Sequence, residues 1–174
     1  ANRPGPVLID IPDDIQRATA EFNLPKSANR KRIIPVNTFQ FEIESILKLL
    51  QKAERPVLIF GAGANCSLTR EISREIARTL PIPILVTWRA KDLITQEFPN
   101  LFDTFGSHGT RWGNFVVQNA DLVVAFGTRL STRETGGNLQ TWARQAKLVH
   151  IDIDKSEIQK LSKLGKKPAI RSEE

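Results

Sequence analysis

A single cysteine, Cys66, leaves no internal disulfide to form, and the two histidines, His108 and His150, fall at no metal-ligand spacing. A disulfide-framed scaffold and a His/Cys metal centre are therefore not expected, and Cys66 reads as a small residue packed near a helix start. No apolar run approaches the roughly 20 residues that cross a bilayer, and the chain opens without a basic-then-apolar leader. A cytoplasmic location with no membrane partner is expected. Internal repeats and low-complexity tracts are missing too. No strand interleaves aromatic with basic residues, and the net charge of +6 is scattered over Arg30-Lys31-Arg32, Lys163, Lys166, Lys167 and mixed-sign helices. That distribution argues for a solvated surface and against a nucleic-acid partner.

What remains is an ordinary globular composition, 40% apolar and 25% charged over 174 residues. The chain is organised around Arg55-Pro-Val-Leu-Ile-Phe-Gly-Ala-Gly-Ala64. Val57 to Phe60 is apolar without alternation, the pattern of a strand covered by helices on both faces. Pro56 opens the strand, where a missing backbone donor is tolerated. Gly61 and Gly63 allow a sharp turn, either to admit a ligand or only to lead tightly from strand to helix. Ser67 or Thr69 can cap a helix whose apolar positions are Leu68, Ile72, Ile76 and Leu80. The pattern G-x-G-x-x-G is incomplete, since Cys66 stands where its third glycine would be.

Before this unit, Val7 to Ile11 reads as an apolar strand bracketed by Pro6 and Pro12, followed by a turn or helical cap at Asp13 to Gln16. Glu21 to Val36 carries Pro25 and Pro35 without apolar periodicity and reads as a connection, which sets boundaries of 1–36, 37–164 and a tail over 165–174. Asn37 or Thr38 can cap a helix buried through Phe41, Ile43, Ile46, Leu47, Leu49 and Leu50. A second strand spans Pro81 to Thr87. Glu97 to Asn114, rich in glycine and aromatics, reads as a long functional loop, and Phe115 to Asn119 as a short helix. Asp121 to Gly127 and Lys147 to Asp154 are further strands, and Glu157, Ile158 and Leu161 begin a terminal helix. Repeated βα units favour parallel pairing with right-handed crossovers, an α/β fold.

In such a sheet, ligands sit beyond the carboxyl ends of the strands. The residues there are Gly61, Ala62 and Gly63; Thr87, Trp88 and Arg89; Gly106, Ser107, His108, Gly109 and Thr110; Gly127, Thr128, Arg129, Ser131 and Arg133; and Asp152 and Ile153. Arg129 and Arg133 can pair with phosphate, or else with Glu134 or Glu97 as surface ion pairs. Asp152 can accept from ribose hydroxyls or an adenine edge. His108 reads as a loop histidine that bonds a ligand or backbone, and His150 as a satisfied sheet histidine.

The order Gly-Pro-Val-Leu-Ile-Asp-Ile-Pro, Arg-Pro-x4-Gly-x-Gly, Pro-Ile-Leu-Val-Thr, Gly-x-His-Gly, Ala-Asp-Leu-Val-Val-Ala-Phe-Gly-Thr-Arg-Leu and His-Ile-Asp-Ile-Asp resembles thiamine diphosphate-dependent enzymes of the acetolactate synthase type, in register from Pro4 to about Leu161. The resemblance implies a Rossmann-like, doubly wound, mostly parallel six-stranded sheet with helices on both faces. It makes 1–36 the end of an N-terminal pyrimidine-binding domain plus linker, 37–164 the central domain, and 165–174 a lead into a C-terminal domain. It implies no catalytic residue and no metal ligand in the chain, because the family's catalytic glutamate and its Gly-Asp-Gly…Asn motif for magnesium and diphosphate belong to the other two domains. Those domains, a homodimer or homotetramer, and thiamine diphosphate with Mg2+ bound outside the chain are the implied partners and cofactors. FAD or ADP is the implied ligand of this domain. The flavin-contacting positions correspond to Gly61, Ala62, Gly63, Thr87, His108, Gly109, Gly127, Thr128, Arg129, Ser131, Arg133, Asp152 and Ile153. The chain departs from the family at Trp88-Arg89-Ala90-Lys91-Asp92, where a second threonine and a glycine-rich turn are usual, and at Ser131, where an acid is common. A free-standing nucleotide-binding domain related to NAD-dependent deacylases is the alternative.

Overall fold

A computed structural model describes residues 6–19, 21, 39–95, 97–163 and 170–172, and divides the chain into two compact units, Ala1–Thr38 and Phe39–Glu174. In the first, α1 (Asp13–Arg17) follows Pro12, with Asp13 and Asp14 in its first turn and an exposed Arg17–Asp13 ion pair of 2.9 Å. Val7, Leu8 and Ile9 are largely exposed, and Val7 to Ile11 forms no strand among the described residues. The expectation of a strand there is corrected. A strand exists through its ladder, and this segment has no ladder partner among the described residues. Most of the expected connection, Glu21 to Val36, lies outside the described residues.

The second unit is α/β. It runs α2 (Gln40–Lys52), β1 (Pro56–Phe60), α3 (Arg70–Thr79), β2 (Ile84–Val86), β3 (Leu101–Thr104), α4 (Arg111–Asn119), β4 (Leu122–Phe126), α5 (Thr132–Thr135), β5 (Lys147–Ile151) and α6 (Lys155–Lys163). These five strands form a parallel sheet in the order β3-β2-β1-β4-β5, and β6 (Ile170–Ser172), inside the segment read as a tail, pairs with β5 at the edge. Side chains alternate across the sheet. Val57, Ile59, Val123 and Ala125 join Val117 of α4, Trp142 and Leu161 of α6 on one face. Leu58, Phe60, Leu122 and Val124 join Ala77 of α3 and half-buried Ile46, Leu49 and Leu50 of α2 on the other. Leu58, Ile59 and Phe60 are fully buried, and each contributes about 1.5–3 kcal/mol by leaving water. The register sets Phe60 beside Phe126, and their rings stack at 5.1 Å.

Of the face expected for α2, Ile46, Leu49 and Leu50 pack on the sheet, but Phe41, Ile43 and Leu47 are exposed, because the helix turns a narrower stripe inward. Three other local expectations change. α3 buries Ser73 and Ala77, and of the four expected apolar positions Ile76 and Leu80 are half-buried against the core, whereas Leu68 and Ile72 are 80% and 60% exposed. The helix starts at Arg70 and turns a polar seam inward. Ser73 Oγ donates to Ala64 O, Arg70 binds Asn65 and Asp92, and Arg74 Nε donates to Leu93 O. Second, the segment read as one long loop contains β3 and the start of α4, which Thr110 caps by accepting from Gly113 N at 3.0 Å. A register shift against β2 and the left-handed Asp103 (φ 61°) mark a bulge in β3, which disguises its alternation. Third, Cys66 is exposed, and the hydroxyl of Thr69 holds its thiol below the ordinary pKa.

Candidate functional site

At the carboxyl edge the backbones of four strands are stitched together. Gly61 N donates to Phe126 O, Gly63 N to Gly127 O and Gly127 N to Ile151 O, each at 2.8 Å, and Thr87 N donates to Phe60 O at 3.0 Å. In strand order the edge thus carries Thr87, then Gly61, Ala62 and Gly63, then Gly127 and Thr128, then Asp152 and Ile153. The glycines are required by the chain itself. A Cβ on Gly61 would lie 2.4 Å from Gly127 O, one on Gly63 2.9 Å from Gly127 Cα, and one on Gly127, where φ is +54°, 2.6 Å from Ala64 N. The space that a missing side chain opens is filled by neighbouring backbone.

The loop after β3 reaches the same edge. Ser107 N donates to Arg133 O at 2.8 Å, which docks Gly106-Ser107-His108-Gly109 on α5, and the exposed His108 ring meets Trp88 at 5.2 Å between centroids. Trp88 opens a 3-10 turn, Trp88–Ala90, after buried Thr87 and is 61% exposed. Ser131 and Glu134 form a capping box on α5. Burial pushes the Glu134 carboxyl up in pKa against the opposing Ser131 hydrogen bonds. Arg133 is exposed at this helix.

Arg129 is the most constrained cation of the edge. Its Nε donates to Glu157 Oε1 at 2.7 Å, so its acidic partner comes from α6 and is neither Glu134 nor Glu97. Glu157 also binds Lys160, whose Nζ donates to Arg129 O at 2.9 Å. Burial raises the Glu157 carboxyl, but Lys160 and Arg129 outweigh it and hold the group below the usual glutamate value. Glu157 reads from sequence only as part of the start of a terminal helix, and neither it nor Lys160 is among the candidate site residues. Their i, i+3 spacing at the start of a helix signals an ion pair, but nothing local shows that the pair reaches Arg129. His150 is fully buried in β5, and its Nε2–H donates to Thr128 O at 2.7 Å. Burial lowers its pKa, favouring the neutral ring, and Nδ1 lacks a hydrogen-bond partner among the described residues. Asp152 is buried at the end of β5, and its Oδ1 accepts from Asp154 N at 2.9 Å.

Two shallow cavities lie elsewhere, along α4. One of about 500 Å³ is lined by Arg111, Trp112, Asn114, Phe115, Gln118 and Asn119, and one of about 400 Å³ by Gln118, Asn119, Arg144 and Gln145. Neither includes an edge residue. Among the described residues no cluster of His, Cys, Asp and Glu could hold a metal, and no helix is long and apolar enough to cross a membrane.

A parallel α/β sheet with glycine turns, an arginine and an acid at its carboxyl edge is a Rossmann-like arrangement. The particular family follows from similarity. Residues 43–167 match the thiamine pyrophosphate enzyme central domain. Over 162 residues the chain is 35% identical to acetolactate synthase isozyme 2 large subunit of Escherichia coli K12, covering 92% of this chain and 29% of that protein. It is 38% identical to chloroplastic acetolactate synthase 2 of Zea mays, covering 92% and 25%, and 32% identical to a probable acetolactate synthase large subunit of Methanococcus aeolicus, covering 91% and 27%. The chain belongs to the thiamine pyrophosphate enzyme central-domain family. It spans about a quarter of the length of these curated relatives. Membership leaves the deacylase-related alternative without support.

Proposed function

We propose that this chain is the central domain of a thiamine diphosphate-dependent enzyme that decarboxylates a 2-keto acid and joins the product to a second one, as an acetolactate synthase does. The observation that carries the reading is the family match across residues 43–167, coupled with relatives named acetolactate synthase. On this reading the lyase or transferase chemistry, with thiamine diphosphate and Mg2+, belongs to N- and C-terminal domains outside the chain. This domain serves as scaffold, contributes contacts to a homodimer or homotetramer in the cytoplasm, and takes FAD or ADP at its carboxyl edge.

The edge suits the anionic, ring-bearing part of such a ligand in some respects. Arg129 and exposed Arg133 supply donors for a diphosphate, and the Trp88–His108 pair supplies ring surface. Gly61, Gly63 and Gly127 contribute no cradle, because neighbouring backbone occupies their Cβ positions.

Two measurements test the reading. The purified chain, given thiamine diphosphate, Mg2+ and pyruvate, is expected to give no turnover above a heat-killed control. Calorimetric titration with FAD and with ADP is expected to show binding that Arg129→Ala weakens. Turnover would overturn the non-catalytic assignment, and failure to bind either ligand would leave the domain as scaffold alone.

A further inference from the structure

We propose that Glu157, from α6, is a positioning residue that aims the Arg129 guanidinium at the diphosphate of an ADP-containing ligand, with Lys160 fixing the backbone beneath it. The inference rests on the reading of the carboxyl edge as the site of FAD or ADP. Three hydrogen bonds clamp the turn that carries Arg129. His150 Nε2 holds Thr128 O at 2.7 Å, Lys160 Nζ holds Arg129 O at 2.9 Å, and Glu157 Oε1 holds Arg129 Nε at 2.7 Å. The next residue, Leu130, is buried and left-handed at φ 44°, a conformation that a branched side chain keeps only where its surroundings enforce it.

The asymmetry of the pair separates this arrangement from a surface ion pair. The Glu157 side chain is 9% exposed and that of Arg129 64%. A carboxylate withdrawn from water carries a desolvation cost that an exposed pair avoids, and Lys160 offsets part of it. Glu157 takes the Nε side of the guanidinium. Among the described residues Nη1 and Nη2 make no hydrogen bond, so the forked end that pairs with phosphate oxygens stays open to solvent. An arginine already held in one rotamer loses less freedom when it binds.

The test is a double-mutant cycle on the 174-residue chain, with ADP, FAD and adenosine titrated into wild type, Glu157→Gln, Glu157→Asp, Arg129→Ala and the Arg129→Ala/Glu157→Gln pair. Thermal midpoints are read alongside. Glu157→Gln is expected to weaken ADP about tenfold, the scale of one charge-assisted contact, and to leave adenosine unchanged. Glu157→Asp should restore most of the ADP affinity even where its midpoint falls. In the Arg129→Ala background Glu157→Gln should add nothing. ADP binding that Arg129→Ala weakens and Glu157→Gln does not would overturn the positioning role and leave the site standing. Additive losses in the double mutant, or equal losses for adenosine, would reduce Glu157 to a structural residue. Wild type that binds neither ADP nor FAD would remove the site and this inference together.

Discussion

The backbone N–H of Gly63 donates to the carbonyl of Gly127 at 2.8 Å, so two turns that lie far apart in sequence touch without a side chain between them. Gly127 is also left-handed at φ +54°, and a Cβ there would sit 2.6 Å from Ala64 N and from the carbonyl carbon of Gly63. Gly127→Ala should therefore destabilise the domain by about 1–3 kcal/mol through backbone strain and crowding, in the absence of any ligand. The midpoint of urea unfolding measures this. An unchanged midpoint would show that the glycine serves only a ligand.

His150 makes stability depend on pH. Burial lowers its folded pKa beneath the unfolded value of about 6.5. Below that value the unfolded chain binds a proton that the folded chain refuses, so its contribution is fully present above about pH 6.5 and declines as the pH falls toward the lowered folded pKa. One proton limits the slope to about 1.4 kcal/mol per pH unit. Unfolding midpoints of wild type and His150→Gln between about pH 7.5 and 5.5 should diverge in slope, the variant being flatter. Parallel curves would assign the slope to other groups.

The strands at the centre were legible because burial on both faces writes itself as unbroken apolar runs, Val57 to Phe60 and Leu122 to Phe126. Their shared carboxyl edge followed from parallel pairing alone. What stayed hidden was decided by long-range polar contacts. The clamp on Arg129 joins residues 28 and 31 positions apart, and no local spacing encodes it. The same holds for β3, whose bulge at Asp103 breaks the alternation a reader would look for. Glycine misled in a milder way, since an open Cβ position and one filled by another turn look alike in sequence.

The face of α3 is a second case, and it can be measured. Hydrophobic spacing favoured Leu68, Ile72, Ile76 and Leu80, yet only the last two pack against the core, and the fully buried positions are small, Ser73 and Ala77, beside the Arg70 and Arg74 anchors. Ile72→Lys should then change stability by no more than about 0.5 kcal/mol. Ala77→Leu should cost about 1–3 kcal/mol by overpacking against the sheet. The reverse order would restore the face expected from the periodicity.

Trp88 offers an optical test of the edge. It is 61% exposed and its ring meets His108 at 5.2 Å, whereas Trp142 is buried and Trp112 stands on α4 beside the larger cavity. A ring-bearing ligand at the carboxyl edge would stack near Trp88 and leave the other two indoles in their surroundings. Titration with ADP should therefore quench part of the tryptophan emission in wild type. Trp88→Phe should abolish that change, and Trp112→Phe should preserve it. Base–aromatic stacking contributes about 1–3 kcal/mol, so Trp88→Ala should also weaken ADP by roughly tenfold or more, with Trp88→Phe retaining most of the affinity. A ligand-dependent signal that survives Trp88→Phe and disappears with Trp112→Phe would move the site from the edge of the sheet to the groove on α4.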